Sequence, residues 1–520
     1  MMPPGEPTRG RGGNSIGSVV FLTALVLYVA TLAPGYVWGD STKLLFYVLE
    51  KNFVGLGPGF GTHPLHNLLG QLFSYLPVSF AYSQNLLSAF SAAAAVYLMF
   101  LIVMEALGDL RAAVAACASM AVSHVFWLYA VLNESYSLLS FFTLLAFLLC
   151  LKWANRSRDW LLYALGAVLG AGLSNHALLL LIFPGLLAML WGKRFFEFCC
   201  SWRIALAFLT FLLGSSQIVL IPIFQAGSIT SFASQLIGDT SDTYQTFSET
   251  YPKFVRELSA YPLYLLYQFP GPSIALGGLG LVVGLRQSTR LVISSALIAV
   301  PILLFATQYM KQRQFPMLIT TFNMFALWVG LGTYYLLEKF PRLSRAPVYA
   351  ALLAGLLLFP PVIYYTASRI AEAVRYDVSF IRALPYRNPY SYYLFPPKNR
   401  EYGPQRYVED SFRQARAGAI ILADFVPGMV LLYDQRILGH RKDIEIDIFV
   451  DDWVHYSDNT SGAILKFLRT QLLSSGRTLY LADDWDLYYH AFEIRKEFHL
   501  ERTGGPLWEV TPRRNDSSVR

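Results

Sequence analysis

Ser18-Val-Val-Phe-Leu-Thr-Ala-Leu-Val-Leu-Tyr-Val-Ala-Thr-Leu-Ala33 runs into a Pro34-Gly35 break and then into Trp38-Gly39-Asp40-Ser41. The first part contains no charge and is about long enough for a bilayer-spanning helix, which needs roughly 20 mostly apolar residues. The second part puts a carboxylate at the mouth of that helix. An ionisable group is costly at a membrane helix, so it marks a functional site by default. Asp40 is also the first acid after Glu6.

The same apolar character extends along the chain. Of 520 residues, 55% are hydrophobic and 14% charged, and the mean hydropathy is +0.42. Soluble domains carry roughly 25% charged residues. The composition therefore implies a polytopic membrane protein. The net charge of +7 sits in the membrane part, since residues from 367 onward hold 21 Lys and Arg against 21 Asp and Glu. A surplus of that kind reports membrane topology and argues against nucleic acid as a partner. None of the four cysteines lies beyond Cys200, so no disulfide is expected in the tail. The first apolar run lacks a small-x-small cleavage site and reads as a retained anchor.

Eleven spans are expected, near 16–34, 84–105, 112–131, 136–153, 160–174, 177–192, 204–224, 262–285, 291–308, 317–338 and 347–366. With the N-terminus inside, 14 Lys and Arg fall on the inner side and 6 on the outer. The positive-inside rule favours that orientation, and an odd number of spans puts the tail outside. The expected organisation is a disordered cytoplasmic stretch 1–15, a transmembrane domain 16–366, a linker 367–407, an extracytoplasmic domain 408–512 and a disordered end 513–520. Two outer loops are long, 35–83 and 225–261. In the first, Thr42–Phe53 and Leu65–Leu76 carry apolar residues at helical spacing and suit the membrane surface. In the tail, Gly418–Asp424 and Arg477–Asp483 read as buried strands ending in an acid, and Gly462–Leu473 reads as a helix between them. The alternation predicts a small α/β domain with a partly parallel sheet. The fold class is thus an all-α polytopic membrane protein with a small C-terminal α/β domain.

Under this topology Asp40, His63, Glu134, His176, Lys311 and Arg313 all reach the outer interface. Two acids with cations and imidazoles at a lipid–water boundary suit group transfer from a lipid-phosphate donor. A carboxylate can take the proton of an attacking hydroxyl, while Lys, Arg or His stabilises charge on a leaving phosphate. Each residue also has a plainer reading. Asp40 could cap a helix, Glu134 could be a solvated loop acid, and His176 could be a hydrogen-bonded helix-end histidine. Lys311 and Arg313 could anchor to lipid headgroups. His63-Pro64-Leu65-His66 lacks a further ligand set, so no metal site is assigned. The residues alone leave enzyme and transporter open.

Taken in order, these stretches resemble the protein O-mannosyltransferase-related membrane proteins of the GT-C glycosyltransferase superfamily. The likeness rests on Thr31-Leu-Ala-Pro-Gly-Tyr-Val-Trp-Gly-Asp-Ser41, on His63-Pro64 with Leu68-Leu69-Gly70, on Glu134-Ser135-Tyr136, on Asn175-His176 and on Tyr309 through Pro316. In the tail it rests on Ala423-Asp424, Leu432-Tyr433-Asp434-Gln435 and Arg441-Lys442-Asp443. The sequence departs from the family at Thr42-Lys43-Leu44, where the family has Gly-Glu-Phe. It departs again at Leu65-His66, where a second proline and a glycine are usual. Both departures bear on which sugar and which acceptor are used.

The resemblance implies transfer of a hexose such as mannose from a polyprenyl-phosphate donor to a hydroxyl of an exported protein or a glycan, on the extracytoplasmic side. It implies Asp40 as the base and Glu134 as its assistant. Trp38, His63, Tyr136, Asn175, His176, Tyr309, Lys311 and Arg313 would then bind substrate. No cofactor beyond the lipid-linked donor is assigned, and metal dependence is left open. Two other classes remain as alternatives: a flippase for a lipid-linked sugar, and a non-catalytic membrane scaffold.

Overall fold

The computed structural model describes residues 11–50, 63–218, 251–309, 315–377, 382–450, 460–474, 476–502 and 504–513. The chain forms two compact units. The first comprises Met1–Leu32, Tyr47–Ala371 and Leu394–Asn399, and the second Ala33–Phe46, Glu372–Tyr393 and Arg400–Arg520. The segment around Asp40, expected as part of the transmembrane domain's first loop, thus belongs with the C-terminal residues. The stretch expected as a linker, 367–407, is divided among structured pieces. One of them, Leu394–Asn399, is tied to the end of the first helix by bonds from Lys398 N to Thr31 O (2.8 Å) and from Asn399 Nδ2 to Ala30 O (3.0 Å).

The chain opens with α1 (Arg11–Ala30), α2 (Asp40–Leu49), α3 (Pro64–Phe73), α4 (Phe80–Leu107), α5 (Leu110–Ala121), α6 (His124–Ala130), α7 (Tyr136–Arg156) and α8 (Trp160–Asn175). Among the described residues, α4, α7, Thr289–Gln308, Pro316–Lys339 and Ala346–Ala373 are five helices long and apolar enough to cross a membrane. The number rises to eight if each of three bent helix pairs is one span. Ser15–Ala30, Trp160–Asn175 and Ala177–Leu190 are shorter apolar helices. Pro316–Lys339 is the inner helix of the first unit, with 89% of its most apolar window buried, whereas Ala346–Ala373 lies at the rim with 11%.

Two segments expected as straight spans, 112–131 and 262–285, are broken: α5 and α6 meet at 69°, and Phe254–Gln268 and Pro272–Gln287 at 119°. A third bend, of 76° between Lys193–Cys199 and Arg203–Gly214, lies at the start of the expected span 204–224 and the loop before it. The sharpest bend has a local cause. Pro270 offers no N–H, and Gly271 sits at φ +72°, where a side chain would be strained. Backbone groups freed at membrane depth must find partners inside the protein. Here one break serves another: Val125 N, just past the α5–α6 bend, donates to the side-chain Oε1 of Gln268 at 2.8 Å. The Gln268 carbonyl in turn accepts from the Tyr364 hydroxyl at 2.9 Å.

Without water to drive apolar helices together in a bilayer, close backbone approach over small residues holds them. A Cβ added to Gly280 would lie 1.8 Å from Trp328 O, and one added to Gly332 would lie 1.9 Å from Leu276 O. Neither carbonyl can rotate away. Gly278, two residues along, faces open space.

The second unit contains a five-stranded sheet in the order β2-β1-β3-β5-β4. The strands are β1 (Ile420–Asp424), β2 (Glu445–Val450), β3 (Leu479–Leu481), β4 (Phe498–Arg502) and β5 (Trp508–Pro512). β1 pairs in parallel with β2 and β3, while β5 runs antiparallel to β3 and β4. The two predicted strands are the central parallel ones. Their unbroken apolar runs mark strands covered on both faces. The three outer strands escaped because their faces are mixed.

Asp424 ends β1 and Asp483 follows β3, so two carboxylates meet at one end of the parallel strands. Arg382 neutralises them. Its Nη1 and Nη2 reach Asp424 Oδ1 and Oδ2 at 2.6 and 2.7 Å, and its Nε reaches Asp483 Oδ2 at 2.6 Å. All three side chains are buried, and the guanidinium also lies over the rings of Trp485 and Tyr488 at 5.5 Å. Burial opposes the charge on Arg382, but the two carboxylates raise its pKa well above the ordinary value.

Two stability outcomes follow from this packing. Gly280→Leu should abolish a monodisperse detergent-solubilised protein, at a cost of at least about 3 kcal/mol, while Gly278→Ala should elute and melt as wild type. Arg382→Leu strands two buried acids and should cost about 3–5 kcal/mol, with much of it recovered by adding Asp424→Asn and Asp483→Asn. Thermal melts of the full chain in detergent read both effects.

Candidate functional site

In the first unit, side chains from three helix ends converge. His63 is the residue before α3, Ser135 precedes α7, and Asn175 and His176 close α8. Pro64 in the first turn of α3 suits a helix start, because its missing N–H would have no partner there. His63 Nδ1 donates to the Asn175 carbonyl at 2.6 Å, and Asn175 Nδ2 donates to Ser135 O at 3.1 Å. The His63 and His176 rings lie 4.9 Å apart, and the Tyr136 ring is 5.2 Å from that of His176.

These contacts fix two tautomers, since a neutral imidazole donates from one nitrogen and accepts at the other. His63 carries its proton on Nδ1, so Nε2 is the accepting side, and the Ser135 hydroxyl stands 3.4 Å from it. His176 is the reverse. Its Nδ1 accepts from Leu178 N at 3.2 Å, which leaves the proton on Nε2. Burial, with His63 adding to the effect, pushes the pKa of His176 well below the usual value. His176 therefore presents a neutral N–H donor. The helix-end reading of this residue holds at Nδ1 and leaves Nε2 available for chemistry.

Glu134 is half-buried in the turn before α7. Its backbone is clamped to α4, with Ser88 Oγ 3.2 Å from both Glu134 O and Glu134 N. His66, one turn into α3, entered the sequence reading only as the second histidine of His63-Pro64-Leu65-His66 and was assigned no role. It is fully buried, and neither ring nitrogen has a hydrogen-bond partner among the described residues. Burial, reinforced by His63 and opposed by Asn67, takes its pKa down to about 3. The signal available in the sequence was its position three residues after His63, which places both on neighbouring turns of one short helix.

Trp38 and Asp40 belong to the second unit. Gly39 adopts φ +79°, and Asp40 begins α2 with an exposed side chain. The stretch is held by aromatic contacts. Trp38 is buried against Tyr407 with ring centroids 5.3 Å apart, and Tyr36 packs on Tyr433 at 4.8 Å. Gln405 Nε2 donates to Tyr36 O at 2.9 Å. Lys43, which stands where the resembled family has an acid, lies over the Phe425 ring at 5.4 Å. Lys311, Arg313 and the side chain of Tyr309 lie outside the described residues. The structure thus brings together His63, Tyr136, Asn175 and His176, with Glu134 in the adjoining turn, and assigns Trp38 and Asp40 to the other unit. Among the described residues, no three His, Cys, Asp or Glu side chains stand close enough to hold a metal ion.

The tail motifs have structural partners. Asp424 caps the following helix through Val426 N at 3.1 Å besides pairing Arg382. Gln435 Nε2 donates to Ile444 O at 2.7 Å, and Arg441 pairs Asp443 through two bonds of 2.9 Å.

Residues 57–197 match the family model described as the Protein O-mannosyl-transferase TMEM260 N-terminal domain. No curated protein sequence matches the chain. Among solved structures, ArnT from Cupriavidus metallidurans, crystallised with undecaprenyl phosphate, aligns with a TM-score of 0.57 at 13% identity, over 96% of this chain and 98% of that one. Its apo form gives the same TM-score at 14% identity and the same coverage. The apo oligosaccharyltransferase of Archaeoglobus fulgidus aligns at 0.51 and 12% identity, over 98% of this chain and 75% of that one. The fold is therefore the GT-C one that the sequence resemblance implied, and the matched family stretch contains His63, Glu134, Tyr136, Asn175 and His176.

The histidines give a pH test. A buried neutral His66 with a depressed pKa means the unfolded chain binds the extra proton first. Stability is complete above about pH 6.5 and falls as pH drops from there towards about 3. At pH 5 the loss should be about 2 kcal/mol. His66→Phe should flatten the fall of the melting midpoint between pH 7.5 and 5, whereas an unchanged slope would show that His66 does not stay neutral.

Proposed function

We propose that the chain is a membrane glycosyltransferase that moves a sugar, a hexose such as mannose, from a polyprenyl-phosphate donor to a hydroxyl acceptor on the extracytoplasmic side. The observation that carries this reading is the convergence of His63, Tyr136, Asn175 and His176 at helix ends inside the stretch that matches the O-mannosyltransferase-like family model. The undecaprenyl phosphate in the crystal structure of ArnT supports a polyprenyl phosphate as carrier.

In this reading the acceptor oxygen attacks the anomeric carbon while its proton passes to the Asp40 carboxylate. The bond from that carbon to the phosphate oxygen breaks, and polyprenyl phosphate leaves with inversion at the sugar. His176 donates its Nε2 proton as a hydrogen bond to the phosphate rather than offering a charge. His63 acts on the same group through Nε2 once protonated, and Lys311 and Arg313 supply the permanent positive charge. Glu134 orients the acceptor or the donor, Tyr136 and Tyr309 shape the pocket, and Trp38 binds substrate. Binding more of the charge in the transition state than in the donor is what accelerates the step.

Asp40→Asn keeps the shape and removes the base. Sugar transfer from polyprenyl-phosphate mannose by the purified protein should fall about 10²–10⁴-fold, with an unchanged melting midpoint. Wild-type turnover in that variant would rule Asp40 out as the base.

A further inference from the structure

The second unit contains a cavity of about 420 Å³ that the reaction scheme leaves unused. Its walls include Tyr36, Gln405, Glu409, Phe412, Asp434 and His440. A volume of this size is at the small end of ligand sites. The polar lining is dominated by acceptors. Asp434 takes the Tyr36 hydroxyl on Oδ2 at 3.3 Å and His440 Nδ1 on Oδ1 at 2.7 Å. Each carboxylate oxygen can accept twice, so both retain a lone pair for a ligand. Gln405 spends its amide nitrogen on Tyr36 O. Its Oε1 is buried without a hydrogen-bond partner among the described residues, a cost that a ligand donor would remove.

The lining also limits the ligand's shape. Glu409 shares Arg413 with Asp410, at 3.4 and 2.6 Å, and the lining residue Arg441 is paired with Asp443. Acceptors set beside aromatic rings suit a molecule that offers several hydroxyl donors and an apolar face. The aromatic rings of Tyr36 and Phe412 give such a molecule an apolar wall. We propose that this pocket binds one neutral pyranose ring. Resting on the transferase reading above, we take it as the dock for a saccharide acceptor. Tyr36 precedes Asp40 by four residues, so their Cα atoms are at most about 14 Å apart. The pocket and the candidate base thus share the segment Ala33–Phe46 of one unit.

Saturation-transfer NMR on the full chain in detergent micelles tests this, with methyl α-mannopyranoside as the probe and tetralysine for comparison. Saturable millimolar binding of the mannoside is expected, weakened at least 10-fold in Asp434→Asn and in Gln405→Leu. Melting midpoints establish that each variant folds, and Gln405→Leu, a change at a half-buried side chain, carries the test if Asp434→Asn does not. Mannoside binding should persist in Asp40→Asn, where transfer is lost. No saturable mannoside signal, binding undiminished in both variants, or stronger binding of tetralysine would overturn the pocket's assignment. Mannoside binding that depends on both residues in a protein without transfer activity would uphold the pocket and remove the transferase reading instead. An unchanged acceptor KM in an active Gln405→Leu would overturn the docking role.

Discussion

A helix that stops at the edge of a membrane leaves carbonyl groups without partners, and the candidate site is built on satisfying one of them. The Asn175 carbonyl, at the end of α8, accepts from His63 Nδ1. That bond pins the start of α3 to the end of α8 and decides which His63 nitrogen remains for chemistry. The Asn175 amide in turn takes the Ser135 carbonyl ahead of α7. Three helix ends are therefore registered by one asparagine and one histidine. His176, next in the chain, inherits its position from the same arrangement and its neutrality from burial.

Much of this was visible in the sequence because apolar length and motif order are coarse signals. Uncharged runs marked the helices, and the parallel strands of the tail were marked by Ile420-Ile421-Leu422-Ala423 and Leu479-Tyr480-Leu481. The bends were not read from it. Pro270-Gly271 is a breaker pair inside the expected span 262–285, but whether such a pair kinks a helix or turns it through 119° depends on neighbours such as Tyr364, which donates to the Gln268 carbonyl. Within the site, His63 and His176 were both picked out. Their opposite tautomers depend on backbone groups that only folding brings into range. His66 was given no role because a histidine in an apolar helix looks the same in sequence whether solvated or buried.

The second unit shows how an ion pair can occupy a place that often holds a ligand. In open α/β sheets the carboxyl ends of the parallel strands form the usual binding crevice. Here the Arg382 guanidinium fills that position between Asp424 and Asp483 and beneath Trp485 and Tyr488. The concave surface of the unit is displaced to the side lined by Tyr36 and Asp434. Lys43 has a comparable effect on α2: it exchanges an acid near Asp40 for a cation resting on Phe425.

The order of the pieces in the second unit has a consequence for synthesis. Ala33–Phe46 leaves the ribosome ahead of Glu372–Tyr393 and Arg400–Arg520, with most of the transmembrane chain in between. About 325 residues separate its end from its first partner, which at about 5–20 residues per second is a delay of roughly 16–65 s. For that time Trp38 lacks Tyr407, and Tyr36 lacks Tyr433 and Asp434. A nascent chain truncated anywhere before its last third carries the Trp-Gly-Asp-Ser stretch without the fold that shapes it.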